Sequence, residues 1–174
     1  NLNLTIENSK ISSNKINHND TIEVYSGAGI AIENVAVTLT ITNSEISENV
    51  IDQKDVGAST PKDKGVGLWL GNYATTIISG TEISGTNIKN NKIIEAKTPN
   101  ENAGGGICID GGTLTINGTT TISDNFSGYG GGVCIFGGNF TMSNGAEISN
   151  CTGDYAGGII IDTGGTFTMN DGTI

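Results

Sequence analysis

Apolar residues alternate with polar or small residues in short runs along nearly the whole chain. In the run "TLTI", Leu114 and Ile116 alternate with threonines, and in "GICI", Ile107 and Ile109 flank a cysteine. A period of two is typical of a β-strand, because successive side chains of a strand point to opposite faces. Runs with a helical period are nearly absent, so the pattern predicts an all-β protein.

The runs recur at a fixed interval in the second half of the chain. Ile107, Val133 and Ile159 each follow a block of small residues, and they are 26 residues apart. Ile30 and Leu68 stand in the same context, but the steps there are 38 and 39 residues. Each of these residues precedes the isoleucine of an "IS" element by 15 or 16 residues, so only the link to the next glycine block varies. A constant unit with insertions at one corner is typical of a solenoid.

This unit predicts a right-handed parallel β-helix of about 26 residues per rung. Three short strands are expected in each rung, with corners at the glycine pairs and at the "NG" turns. Insertions at 15–25, 50–63 and 87–102 should leave the same corner of the rungs. Residues 1–174 are expected to form a single β-helix segment, cut within a rung at both ends and belonging to a longer chain.

Side chains at equivalent positions should stack in rows about 4.8 Å apart. The expected inward apolar rows are Ile30, Leu68, Ile107, Val133 and Ile159; Leu39, Leu114, Phe140 and Phe167; and Ile11, Ile46, Ile83, Ile122 and Ile148. A polar row three residues after the last of these comprises Asn14, Asn49, Thr86, Asn125 and Cys151. Its side chains are predicted to form an internal ladder that satisfies backbone groups at the turn.

Charge and hydropathy exclude two classes of partner. The net charge is −10, and residues 98–174 carry seven acidic side chains and no basic one. This balance argues against nucleic acid and against an anionic membrane surface. No apolar run approaches the ~20 residues of a membrane helix, so this segment is not expected to insert into a membrane.

The cysteines suggest a disulfide rather than a metal site. Cys108 and Cys134 are one period apart and should be neighbours on the outer face, at a separation that a disulfide accepts. Two free thiols are the alternative. Cys151 lies at a different corner, and a zinc site needs four convergent ligands. No metal and no cofactor are therefore predicted.

Candidates for catalysis are few. His18 is the only histidine and falls in an insertion. Asp110 and Asp162 share an outward phase two rungs apart, about 10 Å, with Phe136 between them. This spacing is too wide for calcium but lies near the upper end for an inverting carboxylate pair. Since no third acid or nearby base accompanies them, the protein is predicted not to be an enzyme.

Two outward rows and one group of loop residues are candidates for binding. The apolar row is Ala31, Trp69, Cys108, Cys134 and Ile160, which either meets a partner or sugar ring or is covered by an insertion. The candidate binding residues are Trp69 and Tyr73 for a sugar, and Lys54, Lys62, Lys89 and Lys92 in or beside the insertions. The threonine row is Thr5, Thr38, Thr40, Thr75, Thr113, Thr115, Thr141, Thr166 and Thr168, interrupted at Asn3, Ile77 and Asn139.

The blocks "GGGICI" and "GGGVCI", the second preceded by "ISDN", resemble the repeats of polymorphic outer membrane proteins. Those repeats pair a Gly-Gly-Ala-aliphatic motif with a Phe-x-x-Asn motif; here glycine replaces the alanine and isoleucine replaces the phenylalanine. The stretches "GGTLTINGTTTIS" and "GGTFTMNDGTI" are similar to repeat tracts in surface proteins of spirochaetes and gut anaerobes. The resemblance implies a secreted or surface-anchored bacterial passenger that acts in adhesion or as a stalk.

The expected function is therefore that of a non-enzymatic, adhesin-like segment at the bacterial cell surface or outside the cell. Its expected partner is a host or cell-surface protein or glycan. A polysaccharide lyase, hydrolase or sugar-binding β-helix is the main alternative, because parallel β-helices often have these activities. An ice-binding solenoid is a further alternative, motivated by the outward threonine row, although threonine is also an ordinary choice for an exposed strand.

Overall fold

The computed structural model describes residues 2–17, 26–33, 37–53, 64–71, 81–94, 103–162 and 164–174. Within these ranges the protein is all-β, with twenty-one strands and no helix. Accordingly, no helix in this part of the chain is long and apolar enough to cross a membrane. The predicted all-β class is confirmed.

The strands form four parallel sheets, numbered in the order in which the chain first reaches them. Sheet 1 comprises β1 (Leu2–Glu7), β5 (Val37–Thr42), β9 (Thr81–Ser84), β13 (Thr113–Asn117), β17 (Gly138–Met142) and β21 (Gly165–Met169). Sheet 2 comprises β2 (Lys10–Ser12), β6 (Glu45–Ser47), β10 (Asn87–Lys89), β14 (Thr121–Ser123) and β18 (Glu147–Ser149). Sheet 3 comprises β3 (Lys15–Asn17), β7 (Val50–Asp52), β11 (Lys92–Ile94), β15 (Phe126–Ser127) and β19 (Thr152–Gly153). Sheet 4 comprises β4 (Ile30–Ile32), β8 (Leu68–Leu70), β12 (Ile107–Ile109), β16 (Val133–Ile135) and β20 (Ile159–Ile161).

In every sheet, each strand pairs in parallel with the strand four places later in the chain. The chain therefore visits the four sheets in rotation and returns to each at regular intervals, as in a β-solenoid. Equivalent residues are in direct register: Ile107 pairs with Leu68 on one side and with Val133 on the other. The predicted stacking of the 26-residue units is confirmed by this register.

The prediction of three strands per turn is wrong, because sheet 3 supplies a fourth. Its strands β3, β7 and β11 fall inside segments that were predicted to be insertions, and so does β10 of sheet 2. The parts of those segments at 18–25, 54–63 and 95–102 lie outside the described residues. The strands of sheet 3 are only two or three residues long.

One member of the third predicted apolar row is also wrong. Ile83 pairs with Ile41 and Ile116 in sheet 1. In sheet 2 the residue that pairs with Ile46 and Ile122 is Ile88, five positions further on. The predicted alignment of this turn with its neighbours was therefore shifted along the sequence. The same shift led to a wrong assignment in the polar ladder.

The interior is a continuous apolar core built mainly from isoleucine and leucine. Leu39, Leu68, Ile107 and Leu114 are completely buried. Fully burying such a side chain contributes about 1.5–3 kcal/mol, and each row continues through the turns in register. Phe140 stacks on a neighbouring phenylalanine, Phe167, with ring centroids 5.3 Å apart.

A column of glycines lets successive turns approach each other closely. A Cβ on Gly106 would lie 2.7 Å from the carbonyl oxygen of Gly132 and 3.0 Å from Nδ2 of Asn125. Gly67 has the same relation to Gly106 and to Asn91. The third residue of each glycine block is therefore small because a neighbouring backbone and a buried amide occupy the space.

Candidate functional site

The polar row of the interior is an asparagine ladder formed by Asn14, Asn49, Asn91 and Asn125, with Cys151 in the next turn. At the corner between sheets 2 and 3, the residue before each of these has a positive φ, and the five are Ser13, Glu48, Asn90, Asp124 and Asn150. This left-handed residue turns the chain sharply. The side chain that follows it then lies inside the stack.

Each amide of the ladder binds the next one in a single direction. The backbone N–H and Nδ2 of Asn91 both donate to Oδ1 of Asn125, at 2.9 and 3.0 Å. Asn49 donates to Oδ1 of Asn91 in the same way, at 3.2 and 2.9 Å. The second Nδ2 hydrogen of Asn91 is donated to the carbonyl of Ile46 at 3.0 Å. With two donated and two accepted bonds, the Asn91 side chain has no capacity left for a ligand, and the ladder is structural.

Thr86 does not belong to this ladder; the prediction placed it there because Ile83 was aligned with the wrong row. Thr86 is buried at an adjacent corner, where its Oγ1 accepts the backbone N–H of Ser44 at 3.3 Å. Oγ of Ser44 in turn accepts the N–H of Ser9 at 3.1 Å. A second ladder, made of hydroxyl groups, therefore satisfies the corner between sheets 1 and 2.

Cys151 takes the ladder position in the last complete turn. Its Sγ lies 3.8 Å from Nδ2 of Asn125 and 3.4 Å from the carbonyl of Ser149. Burial is the main cause that raises the pKa of the Cys151 thiol. The predicted structural position of Cys151 agrees with these contacts.

The outer face of sheet 4 carries an apolar patch, which we call the Trp69 cluster. Its buried members are Trp69, Ala103, Cys108 and Cys134, and the half-buried residues packed on them are Tyr129, Phe136 and Ile160. The predicted apolar row is thus in register, but Trp69 is only 6% exposed and both cysteines are fully buried. A ring buried to this extent offers no open face for stacking on a sugar.

An ion pair closes one edge of the Trp69 cluster. Nζ of Lys64 lies 3.1 and 3.0 Å from the two carboxylate oxygens of Asp110, and it lies 4.6 Å from the centre of the Phe136 ring. The indole Nε1 of Trp69 donates to Oδ2 of Asp110 at 3.0 Å. The carboxylate of Asp110 is therefore fully engaged in holding this edge together, and its predicted partner Asp162 lies in a turn beyond Phe136.

Cys108 and Cys134 are directly adjacent in register and are both free thiols. Burial is the first cause that raises the pKa of Cys108 well above its ordinary value, followed by the neighbouring Cys134. The candidate disulfide is therefore not formed in this structure. Among the residues that the structure describes, no group of three or more histidine, cysteine or acidic side chains is placed to hold a metal ion.

Two of the four candidate lysines lie on strands and not in loops. Lys89 lies on β10, where its Nζ is 3.0 Å from Glu45, and Lys92 lies on β11 of another sheet. Lys10 approaches Glu45 from the other side at 2.9 Å. The hydrogen bond from Lys10 is the main cause that lowers the pKa of Glu45 to about 2, with further bonds from Ser47 and Lys89. Lys54, Lys62, Tyr73 and His18 lie outside the described residues.

The threonines of sheet 1 form a more regular column than the sequence indicated. Thr5, Thr40, Thr115, Thr141 and Thr168 share one register, with Glu82 between Thr40 and Thr115. In the adjacent column Asn3 pairs with Thr38, and Asn139 stands between Thr113 and Thr166. Thr75 and Ile77 lie outside the described residues. A glutamate occupies the centre of the column, so the hydroxyl array is not continuous.

The chain matches no family model, no curated protein and no solved structure.

Proposed function

We propose that the chain folds as a right-handed parallel β-helix and serves as a non-enzymatic, adhesin-like segment at a bacterial surface or outside the cell. The rotation of the chain through four parallel sheets supports the β-helix. The observation that carries the functional proposal is the contrast between the inside and the outside of the stack. Inside, apolar rows and the asparagine ladder repeat from turn to turn; outside, the rows vary more, as in Ala31, Trp69, Cys108, Cys134 and Ile160 of sheet 4.

Such a stack suits a rigid spacer. Six strands of sheet 1 at ~4.8 Å spacing give a described stack roughly 24 Å long. Strands inside the stack have partners on both sides, and the ladder adds side-chain bonds along the same axis. Bending the stack would break both sets of bonds, so the structure favours a stiff element that holds a binding surface away from its anchor.

Recognition is proposed to use the segments 18–25, 54–63 and 95–102. Each of them connects a strand of sheet 3 to a strand of sheet 4, namely β3 to β4, β7 to β8 and β11 to β12. In a β-helix, connections between the same two sheets leave the same corner, and loops on a rigid scaffold commonly carry binding functions. The expected partner is a protein or glycan of a host or cell surface.

The polysaccharide-active alternative is weakened at two of its candidate residues. Trp69 is buried, and the carboxylate of Asp110 is bonded to Lys64 and to Trp69. The ice-binding alternative requires an uninterrupted hydroxyl face, and Glu82 stands within the threonine column. The surface-recognition proposal needs neither an open Trp69 nor a regular outer face.

The test is a binding screen against a glycan array and a panel of extracellular matrix proteins. The wild-type protein is compared with a variant in which 18–25, 54–63 and 95–102 are each cut to four residues. A shorter connection already joins the same two sheets between β15 and β16. Far-UV circular dichroism and thermal unfolding establish that the trimmed variant is folded. Binding by the wild type that is lost in the folded, trimmed variant supports the proposal, whereas binding that survives trimming contradicts it.

A further inference from the structure

Cys108 and Cys134 form a pair of thiols on the outer face of sheet 4 that the proposed function does not use. They lie on β12 and β16 and pair directly in register. Both strands have a parallel neighbour on each side, so the pair lies within the stack and not at one of its ends. Trp69 and Ile160 are the next residues of the same row on either side. Strand pairing alone therefore holds the two cysteines next to each other.

The backbone places the two cysteines at a distance that suits a disulfide. Paired strands of a sheet are about 4.8 Å apart, and the Cα atoms of most disulfides are about 4.4–6.8 Å apart. Residues in direct parallel register direct their Cβ atoms to the same face, so the two side chains run side by side. Burial is the first cause that raises the pKa of the Cys108 thiol, and a hydrogen bond with Cys134 is the second. The two thiol groups are thus already in contact, and a bond between them requires rotation of the side chains rather than a movement of either strand.

The packing of the Trp69 cluster shields this pair from solvent. Both cysteines are completely buried, and half-buried aromatic and aliphatic side chains pack on the cluster that contains them. A thiolate is the species that attacks a disulfide, and burial raises the pKa of Cys108 and so disfavours its thiolate. An oxidant in solution therefore meets no reactive sulfur at this pair once the cluster has packed. A bond here has to form while the chain folds, and the same packing then protects it from reductants.

We propose that Cys108 and Cys134 are an oxidation site, at which a disulfide joins β12 to β16 as the chain folds. The oxidant is a low-molecular-weight disulfide such as oxidised glutathione. The thiolate of one cysteine attacks the glutathione disulfide and releases the first glutathione thiolate. The thiolate of the other cysteine attacks the protein sulfur of this mixed disulfide and releases the second. Two electrons pass from the cysteine pair to glutathione, and the two thiol protons end on the released glutathione.

The bond encloses one complete turn of the stack, since the chain from β12 to β16 passes once through all four sheets. A crosslink of this kind restricts the unfolded chain and so stabilises the folded state. The urea midpoint of the oxidised protein should exceed that of the reduced protein by about 1–2 M. Disulfide formation does not depend on any binding partner, so the binding screen and a thiol assay succeed or fail separately.

The test is refolding of the reduced, urea-unfolded protein by dilution into a glutathione redox buffer. The remaining thiols are then alkylated in denaturant and counted by mass spectrometry. Of the three cysteines, the wild type should retain only Cys151 as a reactive thiol, and peptide mapping should locate the bond between Cys108 and Cys134. Oxidation in urea is the matched control. The shorter loop between Cys134 and Cys151 closes more readily in an unfolded chain, so a different mixture of pairings is expected there.

Two variants separate the pair from the third cysteine. Cys151→Ser keeps the pair and should leave no reactive thiol after refolding, whereas Cys134→Ala should leave two. Circular dichroism checks that both variants fold. The wild type reports the pairing by itself, so the test stands even if one of the variants does not fold.

Dithiothreitol should reduce the bond slowly in the folded protein and rapidly in urea, since the cluster covers both sulfur atoms. Three reactive thiols after refolding of the wild type, or a bond that includes Cys151, would overturn the proposal. Equal urea midpoints for the oxidised and the reduced wild type would overturn it as well, because the bond would then place no constraint on the turn that it encloses.

Discussion

Replacing Asn91 with alanine should destabilise the protein far more than the same replacement of Asn14, although both belong to the asparagine ladder. The Asn91 side chain is fully buried and takes part in four hydrogen bonds, two donated and two accepted. The amide of Asn14 is exposed at the end of the ladder and donates one bond, at 2.8 Å to Oδ1 of Asn49. The pair therefore compares an interior member with a terminal member of one structural feature.

The magnitudes follow from these contacts. A buried hydrogen bond contributes about 0.5–1.5 kcal/mol, and a buried group left without a partner costs about 1–3 kcal/mol. Asn91→Ala removes four bonds and deprives the backbone N–H of Asn49 of its acceptor, so we expect a loss of about 3–5 kcal/mol. Asn14→Ala removes one exposed bond and should cost less than about 1 kcal/mol.

Equilibrium unfolding in urea, followed by far-UV circular dichroism, measures this difference. With a urea dependence of ~2 kcal/mol per molar, a loss of 4 kcal/mol lowers the midpoint by about 2 M. Asn14→Ala should shift the midpoint by less than about 0.5 M. Equal shifts for the two variants would refute the reasoning, since they would mean that burial and bond number do not determine what a ladder amide contributes.

Two further predictions concern the outer faces. Asp110→Ala should cost about 1–3 kcal/mol and shift the fluorescence of the single tryptophan to the red, because it removes the acceptor that Lys64 and the indole N–H of Trp69 share. Asp110→Asn retains an acceptor for the indole, so both effects should be smaller, and identical behaviour of the two variants would contradict this role. Since the folded-state pKa of Glu45 is lowered to about 2 from an ordinary value of 4.5, its contribution to stability is present above pH 4.5 and is lost as the pH falls toward 2. The difference in urea midpoint between the wild type and Glu45→Gln should therefore shrink over that interval, and a difference independent of pH would exclude the effect.

The columns of the stack were predictable wherever a residue and its neighbours in adjacent turns share the same local motif. Ile107, Val133 and Ile159 follow closely similar blocks of small residues, and they do stack in register. In parallel register, equivalent residues of successive turns pair directly. Residues at equivalent positions of the repeated sequence are therefore neighbours in the structure. The adjacency of Cys108 and Cys134 could be predicted for the same reason.

The misplacement of Ile83 shows where local pattern fails. The segments "TEIS" and "NIKN" follow each other and both fit the alternation of a strand, so their letters do not decide which of them belongs to sheet 2. The decision comes from a contact in the neighbouring turns: only the later segment places an asparagine, Asn91, between Asn49 and Asn125. A signal was present, since Asn91 stands three residues after Ile88 as Asn125 stands after Ile122.

The burial of the Trp69 cluster was harder to predict from the sequence. The sequence left open whether this outward row meets a partner or is covered by an insertion, and it does not indicate which residues pack on it. The covering contacts come from residues distant in sequence or at other corners, including Ala103, Tyr129 and Phe136. Pairing of Lys64 with Asp110 spans 46 residues and follows from no local motif.

Sheet 3 was not predicted because its inward residues differ between the early and the later turns. In the early turns these residues are Ile16, Ile51 and Ile93, which pack against Ala28 and Val66 of the glycine blocks. In the later turns Ser127 and Gly153 occupy the same row. The regular 26-residue units, from which the period was derived, thus have no apolar residue at this position.

The glycine blocks approach sheet 3 closely in the later turns. Gly105 and Gly131 stand where the earlier turns have Ala28 and Val66. A Cβ on Gly105 would lie 2.7 Å from the carbonyl oxygen of Phe126, and one on Gly131 would lie 2.2 Å from that of Thr152. At these two positions the glycine block therefore lies directly against the backbone of sheet 3. The long connections 18–25, 54–63 and 95–102 follow β3, β7 and β11, which are the turns with isoleucine in sheet 3. The corner where recognition is proposed therefore has apolar side chains in those turns, whereas the short links follow Ser127 and Gly153.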